Sequence, residues 1–145
     1  MDKQLKSELR KLLTGRTVRY EEGWLVAVPE GSYWIYHGVA DRTGYRKIIC
    51  RERRMQAAAS NEEAFQQVLN ALQEIGVLVN MQTMPEALCA LCRLFLTKAV
   101  VLCVAPLENG TVLVRAYTGR SLMAGIFCRL VIARLKKKLG KEQES

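Results

Sequence analysis

The amino-acid sequence predicts an α+β fold, in which an antiparallel sheet packs against about four helices. Apolar residues at helical spacing and residues typical of helix N-termini mark the helices. Short runs of β-branched and aromatic residues, separated by turn residues, mark a three- to four-stranded meander. The dipeptide Asn109-Gly110 between two strand-like runs adds a C-terminal hairpin. The predicted order is α-βββ-α-α-ββ-α, with residues 1–140 as a single domain and 141–145 as a frayed tail.

The first third of the chain predicts a helix followed by the meander. Leucines recur at helical spacing over residues 2–14, and Asp2 can cap this helix. Residues 16–50 contain the segments "TVRY", "WLVAV", "YWIYHGV" and "YRKIIC", whose short links favour antiparallel neighbours. The next segment, "RERRMQAAAS", is interpreted as a basic patch and a connector.

Two capping boxes predict the central helices. Ser60 with Glu63 begins a helix that continues to Ile75, because its hydroxyl and carboxylate can satisfy backbone donors of the first turn. Thr83 with Glu86 repeats the pattern and predicts a helix over residues 84–97. The segment "VLVN" between them is interpreted as a short strand or an extended link.

The last third predicts the hairpin and a final helix. The runs "AVVLCVAPL" and "TVLVRAY" flank Asn109-Gly110, which is the strongest short-range hairpin signal. A wide apolar stripe then predicts a helix from about Arg120 to Leu139, which Gly140 ends. In its order of elements the chain resembles the longin and roadblock type of small α/β adaptor and also the secretion-chaperone type. This resemblance implies a scaffold that binds other proteins.

The chain is basic, with a net charge of +8 and a pI of about 9.5. Such a charge suits a nucleic acid, an anionic membrane surface or an acidic protein, or it solubilises the chain. The basic residues concentrate in segments 46–54 and 129–141, which are the alternative site for a nucleic acid or another anion. The residues expected to contact it are Arg46, Lys47, Arg51, Arg53, Arg54, Arg134, Lys136, Lys137 and Lys138.

The pair Cys89 and Cys92 has three interpretations: half of a metal site, a redox pair, or core packing. A zinc site needs four ligands, and the lone histidine, His37, lies far upstream. A redox pair needs an exposed and stabilised thiolate, whereas this segment is apolar. We therefore interpret both cysteines as core residues and expect no metal and no cofactor. The N-terminus lacks the apolar core of a signal peptide, so we also expect a reducing, cytoplasmic compartment.

The sequence shows no catalytic constellation. No carboxylates pair convincingly, no glycine-rich phosphate loop is present, and His37 has no partner spaced for acid–base chemistry. The longest apolar region carries Arg93 and Lys98, which argues against a membrane span. We therefore predict a protein that acts by binding and not by catalysis.

Apolar surface in excess of what a small sheet can cover predicts a protein partner. The final helix is apolar over a wide arc, and the helix predicted over 84–97 is apolar nearly all round. A protein-interaction module, with a homo-oligomer preferred, is the predicted function. A small-molecule pocket between sheet and helices is a further alternative. The residues predicted to contact the partner are Leu122, Met123, Ile126, Phe127 and Val131.

Overall fold

A computed structural model describes residues 2–13, 18–21, 24–27, 47–94 and 98–144. Within these ranges the chain forms three helices and one seven-stranded sheet, which confirms the predicted α+β class. The elements in chain order are α1 Lys3–Leu13, β1 Val18–Glu21, β2 Trp24–Ala27, β3 Ile48–Gln56, α2 Asn61–Ile75, β4 Gly76–Val79, β5 Leu88–Leu94, β6 Lys98–Pro106, β7 Thr111–Gly119 and α3 Ala124–Glu144.

The sheet has the strand order β1-β2-β4-β5-β6-β7-β3. Its five strands from β4 to β3 are antiparallel neighbours, while β2 joins β4 in parallel where Leu25 lies opposite Val79. The predicted meander is therefore only partly correct. Strands β1 and β2 form an antiparallel pair, but β3 lies at the far edge of the sheet beside β7. The segment "YWIYHGV" lies outside the described residues.

Strand β3 is longer than predicted, because it includes residues 51–56 of the segment "RERRMQAAAS", which was interpreted as a basic patch and a connector. Its nine residues all pair with β7, from Ile48 opposite Gly119 to Gln56 opposite Thr111. The side-chain amide of Gln56 donates a hydrogen bond to the Asn109 carbonyl at 2.7 Å and accepts one from the Thr111 hydroxyl at 2.9 Å. These bonds hold the end of β3 against the β6–β7 turn.

Helices cover both faces of the sheet. Helices α2 and α3 pack on one face over an aliphatic core, and α1 packs on the other over a smaller core. Alternate residues of a strand point to opposite faces, so Ala90 belongs to the first core and Leu91 to the second. Strands β5 and β6 are buried on both faces, which explains their nearly continuous apolar sequences.

The helix predicted after Ser60 is confirmed as α2. The Ser60 hydroxyl accepts a hydrogen bond from the backbone N–H of Glu63 at 3.3 Å. Gly76 ends this helix in an extended conformation and begins β4 directly, so "VLVN" contributes a short strand. A Cβ at Gly76 would lie 2.6 Å from the Leu91 carbonyl oxygen and 2.9 Å from the Cys92 sulfur, so the close approach of β5 requires glycine here.

The helix predicted over 84–97 is wrong, because this region contributes β5. The hydroxyl of Thr83 donates to the Glu8 carboxylate at 2.8 Å, and its backbone N–H donates to the same carboxylate. Two successive turns follow, in which Met84 donates to the Met81 carbonyl and Ala87 to the Met84 carbonyl, both at 3.2 Å. The expected capping residue thus fastens a turn to α1. An apolar run buried on both faces of a sheet has no periodicity that separates it from a buried helix.

The C-terminal hairpin and the final helix are present. Asn109 and Gly110 both have positive φ angles, of 55° and 77°, and Thr111 donates to the Glu108 carbonyl at 2.9 Å. This geometry is typical of the type I′ turn that the dipeptide predicts. Helix α3 begins later than predicted and continues past Gly140. A glycine inside a helix costs only about 1 kcal/mol, so the buried Leu139 before it can keep the helix docked.

Candidate functional site

The residues predicted to contact a partner divide between the core and the surface. Phe127 and Val131 are buried and pack in the core under α2 and α3, so they are not available to a partner in this conformation. Leu122, Met123 and Ile126 are exposed. The wide apolar stripe of the sequence is thus partly core and partly surface. Its width alone could not separate the two.

Four exposed apolar side chains, which we call the outer stripe, lie in the turn before α3 and on the first half of α3. They are Leu122, Met123, Ile126 and Leu130. Leu122 is fully exposed, and the other three are 45 to 48% exposed. Sequence reasoning did not select Leu130, although its spacing of four from Ile126 places both on one helix face. Large apolar side chains that are exposed together mark interaction surfaces.

The flank of α3 next to β3 is basic. A Cβ at Gly125 would lie 3.1 Å from Nη2 of Arg51, so the first turns of α3 pass close to this guanidinium. Arg51 also donates from Nη1 to the Cys50 carbonyl at 3.0 Å, which fixes its side chain along β3. Gly125 therefore allows the helix to approach the edge strand where a larger residue would press on Arg51.

Further along α3, the two basic segments of the sequence meet in a cleft. Its volume is about 270 Å³, and we call it the basic cleft. Because β3 is an edge strand among the described residues, side chains from both of its faces can border this cleft. The lining residues are Arg53, Arg54, Met55, Gln56, Lys136, Leu139 and Gly140.

The other predicted anion contacts do not line the basic cleft. Lys138 forms an ion pair with Glu74 of α2 at 3.1 Å. Arg134 and Lys137 are exposed elsewhere on α3, and Lys47 is exposed just before β3. Arg51 lies beside Gly125 as described above, and Arg46 lies outside the described residues. Of the nine predicted residues, Arg53, Arg54 and Lys136 are the ones that the fold brings together at the cleft.

The two cysteines of the C-x-x-C segment lie on opposite faces of the sheet. Because β5 is a strand, residues three apart point in opposite directions, so Cys92 packs under α2 and α3 and Cys89 packs under α1. Burial raises the pKa of Cys92 to about 12. The two thiols cannot form a redox pair or share a metal in this fold. Both are core residues, as the sequence interpretation had it.

The cysteine that neighbours Cys89 is Cys103 and not Cys92. Cys103 lies directly opposite Cys89 on β6, and the Cys103 sulfur is 3.6 Å from the Met81 sulfur. The hydrogen bond with Cys89, followed by burial, raises the pKa of Cys103 well above its ordinary value. The Cys103 thiol is therefore protonated and buried at neutral pH. Within the described residues, no three His, Cys, Asp or Glu side chains are grouped so that they could hold a metal ion.

Two further findings concern membrane crossing and similarity to known proteins. Among the helices of the described ranges, none has the length and apolarity that crossing a lipid bilayer requires. No protein-family model, curated protein or solved structure matches this chain. Any function is therefore inferred from the residues of this chain alone.

Proposed function

We propose that this chain is a non-catalytic protein-interaction module that self-associates through the outer stripe of α3. The observation that carries this proposal is the outer stripe itself, in which Ile126 and Leu130 are exposed four residues apart on α3 and Leu122 and Met123 are exposed in the turn before it. The same helix already buries its opposite side on the sheet, so the stripe is surplus to the fold. Burial of such side chains against another protein removes apolar area from water and favours association.

Part of the excess apolar surface predicted from the sequence is buried within the fold. Residues 84–97, predicted as an apolar helix, contain β5, and both faces of this strand are covered within the fold. It therefore gives no support to a partner. Of the six large apolar side chains that are exposed among the described residues, four belong to the outer stripe, which therefore supports a partner.

The charges of α3 favour an antiparallel pair of helices. The outer stripe lies in the turn before α3 and in the first half of this helix, whereas Lys136, Lys137 and Lys138 lie in the second half. An antiparallel pair centred on Ile126 joins the two stripes and directs the two lysine runs to opposite ends. A two-fold pair is also the commonest form of self-association. Each copy still carries a net charge of +8, so screening by salt should strengthen the dimer.

The test is the molar mass in solution, measured by light scattering behind a sizing column over a range of concentrations at low and high salt. We expect a dimer whose dissociation constant falls as salt rises. Ile126→Asp should weaken the dimer by about tenfold or more, because a charge is then buried at the centre of the interface. Since Ile126 is already half exposed, its replacement should change the free energy of unfolding by only about 0.5 kcal/mol.

Phe65→Asp is the matched control. Phe65 is an exposed apolar residue on α2, where it borders a small groove with Val68 and Val104. This variant introduces the same charge on a different helix and should leave the molar mass unchanged. A monomer at every salt and protein concentration would contradict self-association. Equal weakening by both variants would show that the outer stripe is not the interface.

Nucleic-acid binding is the second candidate function. The convergence of segments 46–54 and 129–141 at the basic cleft supports it, because clustered cations on one surface bind phosphates. The same column separates the candidates if absorbance is read at 260 and 280 nm on protein purified from cells. Bound nucleic acid that is removed at high salt would favour this second candidate, whereas nucleic-acid-free protein would not.

A further inference from the structure

We infer that the basic cleft between β3 and α3 binds the phosphate group of an anionic ligand. Arg53 and Arg54 from β3 meet Lys136 from α3 at this cleft, although 81 residues of chain lie between Arg54 and Lys136. This inference does not depend on self-association through the outer stripe. The failure of either proposal leaves the other intact.

The positive charge of the cleft is not neutralised within the described residues. Among the side chains that the structure describes, no carboxylate lines it, and Arg53, Arg54 and Lys136 form no ion pair. Two acidic residues on elements near the cleft, Glu52 and Glu74, are paired with other cations. Glu52 binds Arg115 at 3.2 Å, and Glu74 binds Lys138 at 3.1 Å. Three like charges around one cavity repel each other, so a bound anion would relieve this repulsion.

The cleft is built on rigid elements. Strand β3 pairs with β7 along its whole length, and the Gln56 amide is held by the β6–β7 turn. Met55 and Leu139 contribute buried apolar side chains to the cleft, which anchor the strand and the helix in the core. The cationic groups therefore start from fixed backbone positions. Binding at such a preorganised site loses less conformational entropy than binding at a loop.

Size and chemistry select the ligand class. A volume of about 270 Å³ lies just below the usual range for small-molecule sites, so the cleft suits one or two phosphate groups. Arginine presents parallel N–H donors that match two phosphate oxygens, and lysine adds a point charge. The phosphate can belong to a free phosphorylated compound or to a nucleic-acid backbone. The same three side chains would recognise it in either case.

The test is titration calorimetry with pyrophosphate at low salt on the full chain. The wild-type protein should bind one pyrophosphate per chain, and Lys136→Glu should weaken this binding by about tenfold or more through loss of a charged hydrogen bond. Lys137→Glu is the matched control, because it makes the same change in net charge at a neighbouring position that does not line the cleft. It should retain the wild-type affinity within about twofold.

A competing oligothymidylate then distinguishes the two sources of phosphate. If pyrophosphate displaces the oligonucleotide and Lys136→Glu weakens both ligands, the cleft binds a backbone phosphate. If pyrophosphate binds and the oligonucleotide does not compete, the ligand is a free phosphorylated compound. Equal weakening by Lys136→Glu and Lys137→Glu would overturn the inference, since general electrostatic attraction would then explain binding. Absence of pyrophosphate binding to the wild-type protein would overturn it as well.

Discussion

The two faces of the sheet are covered to very different extents. On one face, the 15-residue α2 and the 21-residue α3 pack against each other and against the sheet. On the other face, the 11-residue α1 covers β6 and β7 by itself among the described helices. Both cores exclude water from their central side chains, since Leu135 of α3 and Leu9 of α1 are each fully buried. The two faces differ in how much helix packing must be lost before these leucines become exposed to water.

This difference teaches how stability is distributed. The core under α2 and α3 joins two helices and five strands, so opening it requires most of the molecule to unfold. Among the described elements, one short helix closes the core under α1, and this helix can detach while the rest of the sheet stays folded. We therefore expect the α2–α3 face to determine global stability and the α1 face to open locally. The following predictions test this contrast, from the largest expected effect to the smallest.

The largest effect should come from truncation of Leu135. Leu135→Ala leaves a cavity beneath α3 and should lower the free energy of unfolding by about 2 to 5 kcal/mol. The matched variant Leu9→Ala removes the same atoms from an equally buried position on α1. Its effect on global unfolding should be smaller, because α1 can detach before the sheet unfolds. Urea denaturation followed by circular dichroism measures both.

Hydrogen exchange shows where each variant opens. For Leu9→Ala, we expect faster exchange in α1 and in the turn around Met81, which belongs to the same core. For Leu135→Ala, exchange should accelerate throughout the sheet. Equal losses in global stability, with acceleration of exchange spread over the whole chain in both variants, would show that α1 and the sheet unfold as one unit.

Glu8 should produce the next largest effect, because it fastens α1 to the rest of the fold. Its carboxylate accepts hydrogen bonds from the backbone N–H of Gln82 at 3.0 Å and from the backbone and hydroxyl of Thr83. Glu8→Ala leaves these donors without the carboxylate and should weaken the docking of α1 by about 1 to 3 kcal/mol. Glu8→Gln keeps one acceptor oxygen and should lose less.

The cysteines report this docking directly. Cys103 lies in the core under α1, whereas Cys92 lies in the core under α2 and α3. Alkylation by iodoacetamide, located by mass spectrometry, should therefore be faster at Cys103 in Glu8→Ala than in the wild-type protein. The rate at Cys92 should not change, which makes it an internal control. Acceleration at both thiols would mean that loss of Glu8 destabilises the whole domain.

The elements that the sequence predicts correctly are those with local signals. Ser60 fixes the start of α2 because a hydroxyl at that position satisfies a backbone donor three residues later. Asn109 and Gly110 fix the hairpin because both adopt the positive φ that its turn requires. Each signal lies within a few residues of the structure it determines, so no knowledge of the remaining fold is needed.

The features that the sequence could not predict depend on distant residues. Thr83 has the spacing of a helix cap, but its hydroxyl binds Glu8 of α1, and the residues after it form turns and then β5. The division of the α3 stripe into core and surface depends on where the sheet lies. The sequence predicted the basic residues but not the cleft that they line. Arg53 and Lys136 meet only when β3 pairs with β7 at the sheet edge.

The smallest effect concerns alkaline pH and again compares the two faces. Burial raises the pKa of Cys92 to about 12, from the value of 9.0 for a free thiol. Above pH 9 the unfolded chain loses this proton while the folded chain keeps it, so the unfolded state binds fewer protons and stability falls as pH rises toward 12. Below pH 9 both states are protonated, and Cys92 adds no pH dependence.

Cys92→Ala should therefore flatten the alkaline decrease in the free energy of unfolding. The wild-type protein should lose about 1 kcal/mol more than this variant between about pH 8 and pH 10, measured by urea denaturation at each pH. The cavity left by the substitution lowers stability at every pH, so only the slope is diagnostic. Cys103→Ala should flatten the slope less if α1 opens locally, because the Cys103 thiol can then ionise without global unfolding. Equal flattening by both variants would mean that α1 protects its face as firmly as α2 and α3 protect theirs.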